Sequence, residues 1–423
     1  MTRSALDLHL GGRKAGQLVL DGDLLTVTYD AAWRDDPEGY PLSPPLGFGV
    51  TVEPSEWSQR CRRYLENLLP EGRALDDLVA RHAVVRTNVF ALMRIVGRET
   101  AGAVALLPEG EAPRSGGTRR EIPPEELSER IRARDETPFS VWDGRVRMSI
   151  AGRQDKVGVR RDDDRFFLVD GDLATTHILK PEPRQLPAVV VNEAFCQKLA
   201  AACGLDAAEV TIVRVPEPVL CVRRFDRARV DGDVRRIHVI DGLQALDLPV
   251  SKKYERWLGS TPDVAKAREG ASIPRLQGLA DRTATPARTR QLLLRRHIFD
   301  FLVGNSDAHG KNVSFFVSRA GLALAPTYDT VCVAAWPHLD TDLALAIGDQ
   351  FAAAAVGPRD WQQLADDCAL HRGLVFRELR GMASRMRGAL AAVGDDLAET
   401  DVEREMLATV RAVVARRIEQ IGG

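Results

Sequence analysis

Two polar residues four positions apart stand out in the segment that runs from Gly304 to Asn312. Asp307 offers a carboxylate and Asn312 a neutral amide oxygen, and their spacing places both on one short loop. A carboxylate can accept the proton of an attacking hydroxyl, and an amide oxygen is a suitable Mg²⁺ ligand. The spacing is that of a phosphoryl-transfer loop. Taken alone, it is equally typical of two turn-forming residues.

A second carboxylate, Asp329, follows Asn312 after the alternating residues Leu322 and Leu324 and a proline. It stands at the end of a predicted strand, shortly after the loop, where protein kinases place a further Mg²⁺ ligand. Metal held by Asp329 and Asn312 would stabilise the charge that develops during phosphoryl transfer. The alternative for Asp329 is an ordinary turn or cap residue.

Upstream, Lys180 ends the strand-like run that begins at Thr175. In a kinase such a lysine contacts the α- and β-phosphates of ATP and is steadied by a glutamate on a helix. Glu193 lies in the next predicted helix and is the candidate. The alternatives are a solvated lysine at a sheet edge and a surface glutamate.

A candidate phosphate loop precedes this lysine, between Ser149 and Gly158. It is a poor match to G-x-G-x-x-G and is not a Walker A loop. A glycine in a short turn between strands can nevertheless expose backbone N–H groups to phosphate, and Gly152 is such a residue. The order of loop, lysine, Asp-x4-Asn and aspartate argues against a chance coincidence of four weak signals.

The elements that must position these residues follow from the apolar spacing. Short strands are predicted over residues 6–30 and again between 146 and 225, and a Pro- and Gly-rich linker, or alternatively a long surface loop, over 107–125. Helices are predicted within Ser55–Arg81, over Val191–Cys203 before Gly204, from Thr285-Pro286 to Gly304, and two or three times in the last 65 residues.

This order predicts an α+β protein with a two-lobed, protein-kinase-like fold. It has a small β-rich N-terminal subdomain and a helical C-terminal lobe. We expect the subdomain at residues 1–108, the kinase N-lobe with the phosphate loop and ATP lysine at 109–245, and the helical C-lobe with the catalytic loop at 246–423.

Composition narrows the class of protein. The chain has 423 residues, of which 44% are hydrophobic and 28% charged, as is ordinary for globular proteins. Its net charge of −2 does not indicate a direct nucleic-acid binder. The six cysteines form no C-x-x-C pair, and neither a signal peptide nor a long apolar run is visible. We therefore expect a soluble, cytoplasmic protein with reduced thiols and no membrane partner.

At this point the residues resemble a known family, the HipA-type serine/threonine kinase toxins of bacterial toxin–antitoxin modules. The likeness extends over nearly the whole chain. Its N-terminal part is carried by Leu65–Gly72, Ile95–Gly97 and Ala101–Ala103. The kinase core and helical lobe are carried by Ser149–Lys156, Thr175–Lys180, Arg224–Arg227, Asn305–Asn312, Thr327–Asp329 and Leu343–Gly348.

The resemblance implies ATP and Mg²⁺ as cofactors and a role for each matching position. Asp307 would be the catalytic base, Asn312 and Asp329 the metal ligands, Glu193 the residue that positions Lys180, and Ser149 the autophosphorylation site that switches the enzyme off. The implied ATP-binding residues are Ile150, Ala151, Gly152, Arg153, Gln154, Asp155, Lys156, Lys180, Arg223, Arg224, Phe225, His309, Gly310, Lys311 and Asn312. Arg153 and Arg223 depart from the residues usual in the family, and neither belongs to the catalytic set.

The same resemblance implies partners. These are an aminoacyl-tRNA synthetase substrate, glutamyl-tRNA synthetase foremost, and a helix-turn-helix antitoxin of the HipB type that carries the toxin to operator DNA. A basic run could meet DNA backbone in such a complex, although a solvated helix face explains it as well; it comprises Arg282, Arg288, Arg290, Arg295 and Arg296. The alternative to an active kinase is a catalytically silent, kinase-fold co-repressor.

Overall fold

The computed structural model describes residues 3–111, 116–147, 154–171, 173–230, 232–261, 263–394 and 396–422. Its contacts divide the chain into two compact units. The first comprises Met1–Pro181, Val213–Ile240 and Phe316–Gly321, and the second Glu182–Ile212, Asp241–Phe315 and Leu322–Gly423. Because both units are discontinuous in sequence, the predicted boundaries after residues 108 and 245 stay predictions. The α+β class itself is confirmed by the elements described below.

The first unit begins with the predicted meander. Its antiparallel strands lie in the order Leu24–Tyr29, Arg13–Asp21, Ser4–Leu10 and Val104–Pro108. Leu6, Leu8 and Leu10 are buried, as their alternation predicts. The turn between the first two strands uses Gly11 and Gly12, both at positive φ. Between the strands Leu24–Tyr29 and Val104–Pro108 the chain forms α-helices at Ala31–Asp35, Pro54–Glu66, Arg73–His82 and Val89–Val96.

A six-stranded sheet forms most of the rest of this unit. In order across the sheet its strands are Val210–Arg214, Pro218–Arg223, His177–Pro181, Val157–Asp162, Arg165–Val169 and Arg119–Ile122. The last of these corrects the predicted linker, since residues 119–122 pair with 166–169 at the sheet edge. Helix Pro124–Arg132 packs Leu127 and Ile131 onto a core that contains Phe139 and Trp142. Short strand pairs lie at Val141–Trp142 with Arg145–Val146 and at Arg227–Val230 with Asp233–Arg236.

The second unit is mainly helical. Helix Pro286–Val303 packs against Arg372–Ala389 and Asp401–Gly422, and helix Val189–Ala202 packs against the same two helices. The remaining helices are Gly242–Leu246, Ile273–Gly278 and Pro358–Asp367, and a strand pair is formed by Asp342–Ile347 and Gln350–Ala352. Three short strands lie where the chain passes between the units, at Val239–Asp241, Ser314–Ser318 and Gly321–Leu324. Across the described ranges, every helix is too short or too polar to cross a membrane.

The predicted helix signals are confirmed at both ends of the central helix. Pro286 occupies its first position, where a missing N–H is harmless. Gly304 ends it in the left-handed conformation at φ +78°. A side chain at Gly304 would also meet Val413 and Ala334, with Cβ only 2.9 Å from Val413 Cγ1. The loop that carries Asp307 therefore begins at a position that only glycine fits.

A buried ionic cluster joins two segments of the first unit, one at Gly102 and one at Arg224–Arg227. The Asp226 carboxylate accepts hydrogen bonds from Arg224 Nε at 2.9 Å and Nη2 at 2.7 Å, and from the Gly102 backbone N–H at 2.7 Å. Arg227 lies 2.9 Å from the same carboxylate. Burial by itself would raise the pKa of Asp226, but the two guanidinium groups hold that pKa well below its usual range.

Removing this carboxylate should destabilise the unit strongly. We expect Asp226→Ala to lower the free energy of unfolding by about 3–5 kcal/mol, because two buried guanidinium groups lose their nearest counter-charge. The wild-type contribution should also fade as the pH drops below about 4, since the pKa of Asp226 is depressed in the folded state. Denaturant titrations of the full chain at several pH values measure both effects.

The matched control is Asp164→Ala, which removes the acid of an ion pair whose carboxylate is almost fully exposed. That change should lower the free energy of unfolding by less than about 1 kcal/mol. Equal losses for the two variants would contradict the assignment of Asp226 as the centre of the cluster.

Candidate active site

The loop after the central helix is held at its start by Asp300 in the helix. The Asn305 backbone N–H donates to the Asp300 carbonyl at 2.9 Å, and Asn305 Nδ2 donates to Asp300 Oδ1 at 3.0 Å. Asp300 is buried, and burial raises the pKa of its carboxyl to about 6, against the attraction of Arg296 and the bond from Asn305. The first turn of the loop is thus fixed by both main-chain and side-chain bonds.

The spacing of Asp307 and Asn312 has a direct structural reason. The main-chain oxygen of Asp307 accepts bonds from the His309 N–H at 2.7 Å and from Asn312 Nδ2 at 3.1 Å. The side chain of Asn312 therefore folds back onto the residue that carries the carboxylate. The carboxylate of Asp307 itself is exposed, as acceptance of a proton from an external hydroxyl requires.

Asn312 and Asp329 have the donor chemistry of a magnesium site. With Asn312 Nδ2 bonded to Asp307, the amide group presents Oδ1 as its remaining acceptor. Asp329 adds a partly exposed carboxylate, and one or two such oxygens plus phosphate are the usual protein contribution to bound Mg²⁺. These two residues fit the ion that the resemblance implies.

Tyr328 attaches the chain just before Asp329 to the loop that carries Asn312. Its hydroxyl donates to the Lys311 carbonyl at 2.6 Å and lies 2.7 Å from Ser314 Oγ, so it bonds on both sides of Asn312. Burial raises the pKa of this phenol above its ordinary range, which keeps it a neutral donor. The chain that leads to Asp329 is thereby tied to the loop through the Tyr328 side chain.

The backbone at Asp329 is unusual and is anchored on both sides. Asp329 has φ +56°, in the left-handed region that non-glycine residues rarely adopt. Before it, Thr327 bonds the main chain of Asp206 at 2.7 Å. After it, the Cys332 N–H donates to Asn192 Oδ1 at 2.8 Å. Sparsely populated conformations of this kind cluster at functional sites, where the surroundings hold them in place.

A buried cation supports both sides of the site. Arg296, counted in the predicted basic run, is 3% exposed and donates to the carbonyl of Asn312. Its guanidinium also lies over the Tyr328 ring, 5.6 Å from the centroid. Arg290 forms a salt bridge with Asp281, and Arg295 forms one with Glu378. These intramolecular pairs favour a structural role for the basic run over contact with DNA.

The other predicted loop residues lie inside the protein. A side chain at Gly310 would place Cβ 2.4 Å from Ala271 Cβ, so the position requires glycine. Lys311 is buried and its Nζ lies 2.6 Å from Asp241 Oδ2. His309 is buried with its ring edge-on to Tyr254. Their predicted contacts with ATP stay predictions.

The predicted ATP lysine lies in the first unit. Lys180 is 6% exposed in strand His177–Pro181, where it pairs with Leu220. Gln154 Nε2 reaches the Pro181 carbonyl at 3.5 Å, which links the end of the predicted phosphate loop to this strand. Asp155 is partly buried, and burial raises the pKa of its carboxyl. Lys156 immediately precedes the neighbouring strand.

The contacts described above do not test the predictions for residues 149–153 or the predicted pairing of Glu193 with Lys180. Ser149, Ile150, Ala151, Gly152 and Arg153 lie outside the described residues. Glu193 is buried in helix Val189–Ala202 of the second unit, so its pairing with Lys180 stays a prediction.

The predicted hinge shows mixed exposure. Arg223 is exposed, and Phe225 packs edge-on against Phe316 with centroids 5.9 Å apart. The side chain of Arg224 is committed to the buried cluster with Asp226. Sequence reasoning did not predict Asp226 and Glu99 as the partners of Arg224. It also did not predict Tyr254, whose hydroxyl donates a hydrogen bond to Asp307 Oδ1. No local spacing signals these contacts.

The raised pKa of Asp300 leads to a prediction about pH. We expect Asp300→Asn to become more stabilising relative to wild type as the pH rises from about 4 to 7, because the wild-type carboxyl must ionise in a buried site. With the folded pKa at about 6, the gain at neutral pH should be about 3 kcal/mol, since each pKa unit corresponds to about 1.4 kcal/mol. Denaturant titrations of both proteins across this range, with the exposed Asp396→Asn as control, measure it. A pH-independent difference would contradict it.

Comparisons with known proteins identify the family to which the chain is similar. Two family models match the chain, the HipA N-terminal domain over residues 6–107 and the HipA-like C-terminal domain over residues 148–393. The chain is 37% identical to the serine/threonine-protein kinase toxin HipA of Shewanella oneidensis, over 92% of this chain and 89% of that protein. It is 34% identical to the putative kinase Y4mE of Sinorhizobium fredii, over 95% of each chain.

A solved structure matches along almost the whole length. The Shewanella oneidensis HipA chain, solved with HipB and its operator DNA, superposes with a TM-score of 0.88 at 36% identity, covering 99% of this chain and 97% of that one. This likeness confirms the predicted kinase-like fold. By sequence and by fold, the chain belongs to the HipA family of serine/threonine-protein kinase toxins.

Proposed function

We propose that this chain is a Mg²⁺- and ATP-dependent serine/threonine kinase that arrests translation by phosphorylating an aminoacyl-tRNA synthetase, glutamyl-tRNA synthetase foremost. Autophosphorylation of Ser149 would switch it off. The observation that carries the kinase proposal is the closed loop of the second unit. Asn312 Nδ2 donates to the main-chain carbonyl of Asp307, while the side-chain carboxylate of Asp307 is exposed. That arrangement supplies a proton acceptor and a metal ligand from one rigid segment.

Each residue of the site has a task in this proposal. Asp307 orients the hydroxyl of the acceptor serine or threonine and takes its proton. Asn312 and Asp329 would hold Mg²⁺, which neutralises charge on the transferred phosphoryl group. Lys180 would hold the ATP phosphates. The protein's contribution is chiefly position and charge, because phosphoryl transfer needs little covalent chemistry from the enzyme.

The proposal extends to partners through the family relationship. The Shewanella oneidensis relative was solved with HipB and its operator DNA, and this chain matches it over 99% of its length. We infer that this chain likewise binds a helix-turn-helix antitoxin and meets operator DNA through that complex. The synthetase target rests on the family resemblance, and a target in translation agrees with a cytoplasmic location.

The first experiment replaces the carboxylate of Asp307. With labelled ATP, Mg²⁺ and purified glutamyl-tRNA synthetase, we expect Asp307→Asn to transfer phosphate about 10²- to 10⁴-fold more slowly than wild type, because the proton acceptor is lost. Equilibrium titration with ATP should give an affinity close to that of wild type, which assigns the loss to chemistry.

The control for this experiment is Asp401→Asn, which changes an exposed aspartate of the same unit and should leave the rate unchanged. Transfer by Asp307→Asn at the wild-type rate would contradict the assignment of the base. A wild-type chain that binds ATP and labels neither itself nor the synthetase would favour the co-repressor alternative.

The second experiment concerns Ser149. We expect wild type incubated with Mg²⁺ and ATP to gain one phosphate on Ser149 by mass spectrometry and to lose synthetase-phosphorylating activity in parallel, since a phosphate of nearly two negative charges beside the ATP site repels nucleotide. Ser149→Ala should keep its activity throughout the incubation. Inactivation of Ser149→Ala at the wild-type rate would sink the proposed switch, and Ser318→Ala, an exposed serine elsewhere, serves as the control.

A further inference from the structure

A tyrosine from a distant segment holds the carboxylate of Asp307. The Tyr254 hydroxyl donates to Asp307 Oδ1 at 2.7 Å. Among the described residues, this is the one hydrogen-bond donor to that carboxylate. We propose that Tyr254 is a positioning residue for phosphoryl transfer, which fixes Oδ1 so that Oδ2 faces the incoming hydroxyl. The inference rests on the proposed kinase function.

The segment that carries Tyr254 is bonded to the loop on one side of Asp307. The Gly310 N–H donates to the Lys253 carbonyl at 3.0 Å, so the residue before Tyr254 is joined directly to the loop. The Tyr254 ring also meets the His309 ring edge-on, with centroids 5.3 Å apart. Edge-on aromatic pairs of this kind favour one ring orientation.

The other side of Asp307 is tied through one intermediate residue. The Glu255 N–H donates to the Ala344 carbonyl at 3.0 Å, and the Ala344 N–H donates to the Ser306 carbonyl at 2.9 Å. The residues before and after Tyr254 are thus connected to residues on both sides of Asp307. The backbone that carries the ring is therefore attached on both sides of Asp307, which favours a lasting positional role.

Glu255 reinforces this attachment from inside the protein. Its carboxylate is 3% exposed, accepts the Ala346 N–H at 2.8 Å and bonds Arg268 Nε at 2.7 Å. The backbone at Tyr254 is therefore fixed by main-chain bonds on both sides and by a buried acid next to it. The backbone that carries the Tyr254 hydroxyl is thus anchored within the protein itself.

The need for such a residue follows from the exposure of Asp307. An exposed aspartate rotates freely, whereas a general base must present one oxygen within hydrogen-bonding reach of the proton it takes. A carboxylate has two oxygens and about four acceptor positions, so a bond to Oδ1 leaves Oδ2 free to act. A hydrogen bond from a hydroxyl to a charged carboxylate oxygen is stronger than a hydrogen bond between two neutral groups.

The test variant is Tyr254→Phe, which keeps the ring against His309 and removes the hydroxyl alone. At saturating ATP, we expect the kcat for synthetase phosphorylation to fall about 10- to 100-fold, the usual effect of losing a hydrogen bond to a charged group. The ATP affinity by equilibrium titration and the Tm should stay close to wild type, because the ring and its contact with His309 are kept.

The matched control is Trp257→Phe on the same segment. Trp257 Nε1 donates to Glu269 at 2.7 Å, so this variant removes a side-chain bond from the segment without touching Asp307. Its kcat should equal that of wild type. An equal fall in both variants would overturn the proposal, since it would show that loosening the segment suffices.

A double variant shows whether Tyr254 acts through Asp307. In single-turnover assays, Tyr254→Phe should lower the residual rate of Asp307→Asn little or not at all. A full additional loss in that background would overturn the inference. An unchanged kcat of Tyr254→Phe, measured alongside an active wild type, would also overturn the inference.

A readout that needs no activity separates this inference from the proposed function. Crystal structures of wild type and Tyr254→Phe should show one orientation of the Asp307 carboxylate in the former and several in the latter. A single, unchanged orientation without the hydroxyl would overturn the inference even if the wild type transferred no phosphate. An inactive wild type with the expected structural difference would overturn the kinase proposal alone.

Discussion

The hydrogen bond from Asn312 Nδ2 to the carbonyl of Asp307 closes the segment between them into a loop of fixed shape. It joins the candidate base and a candidate metal ligand within six consecutive residues, so their separation does not depend on how larger parts of the protein move. Residues before and within the loop's surroundings support this closure by fixing its backbone. The loop begins at Gly304, Asp300 holds its first turn, and Arg296 donates a hydrogen bond to the carbonyl of Asn312.

Buried charge appears repeatedly around the functional segments. Asp226 with its two arginines joins the segment Arg224–Arg227 to Gly102 in the first unit, and Lys311 with Asp241 holds the end of the candidate loop in the second. Such pairs add little net stability compared with apolar packing, but removing one partner is strongly destabilising. Their effect is to hold particular segments in register, which is what a phosphoryl-transfer site needs.

The candidate site is also assembled around an exposed carboxylate. Asp307 is open to solvent, while the residues that orient it are tied to buried groups such as Glu255. Tyr254 links the two regions, because its hydroxyl reaches the carboxylate and its neighbours are bonded into the protein. This division allows a protein substrate to approach while the acceptor oxygen stays in place.

The sequence by itself determined the local features. Alternating leucines predicted the first meander, Pro286 and Gly304 predicted the ends of the central helix, and the Asp-x4-Asn spacing predicted that both residues lie on one short loop. These succeed because strand alternation, helix ends and short loops depend on residues near one another in the chain. The strand at Arg119–Ile122 was missed because a charged edge strand lacks the apolar alternation of a buried one.

Only the tertiary structure decided which distant side chains serve the site. Tyr254 and Asp307 are far apart in sequence, as are Glu99 and Arg224, and nothing in the composition of either segment specifies the partner. Arg296 was assigned to a basic surface run because sequence shows the charge of a residue, whereas its burial depends on helix packing. Contacts of this kind arise when the folded chain brings remote backbone segments together, so their physical cause lies outside any local pattern.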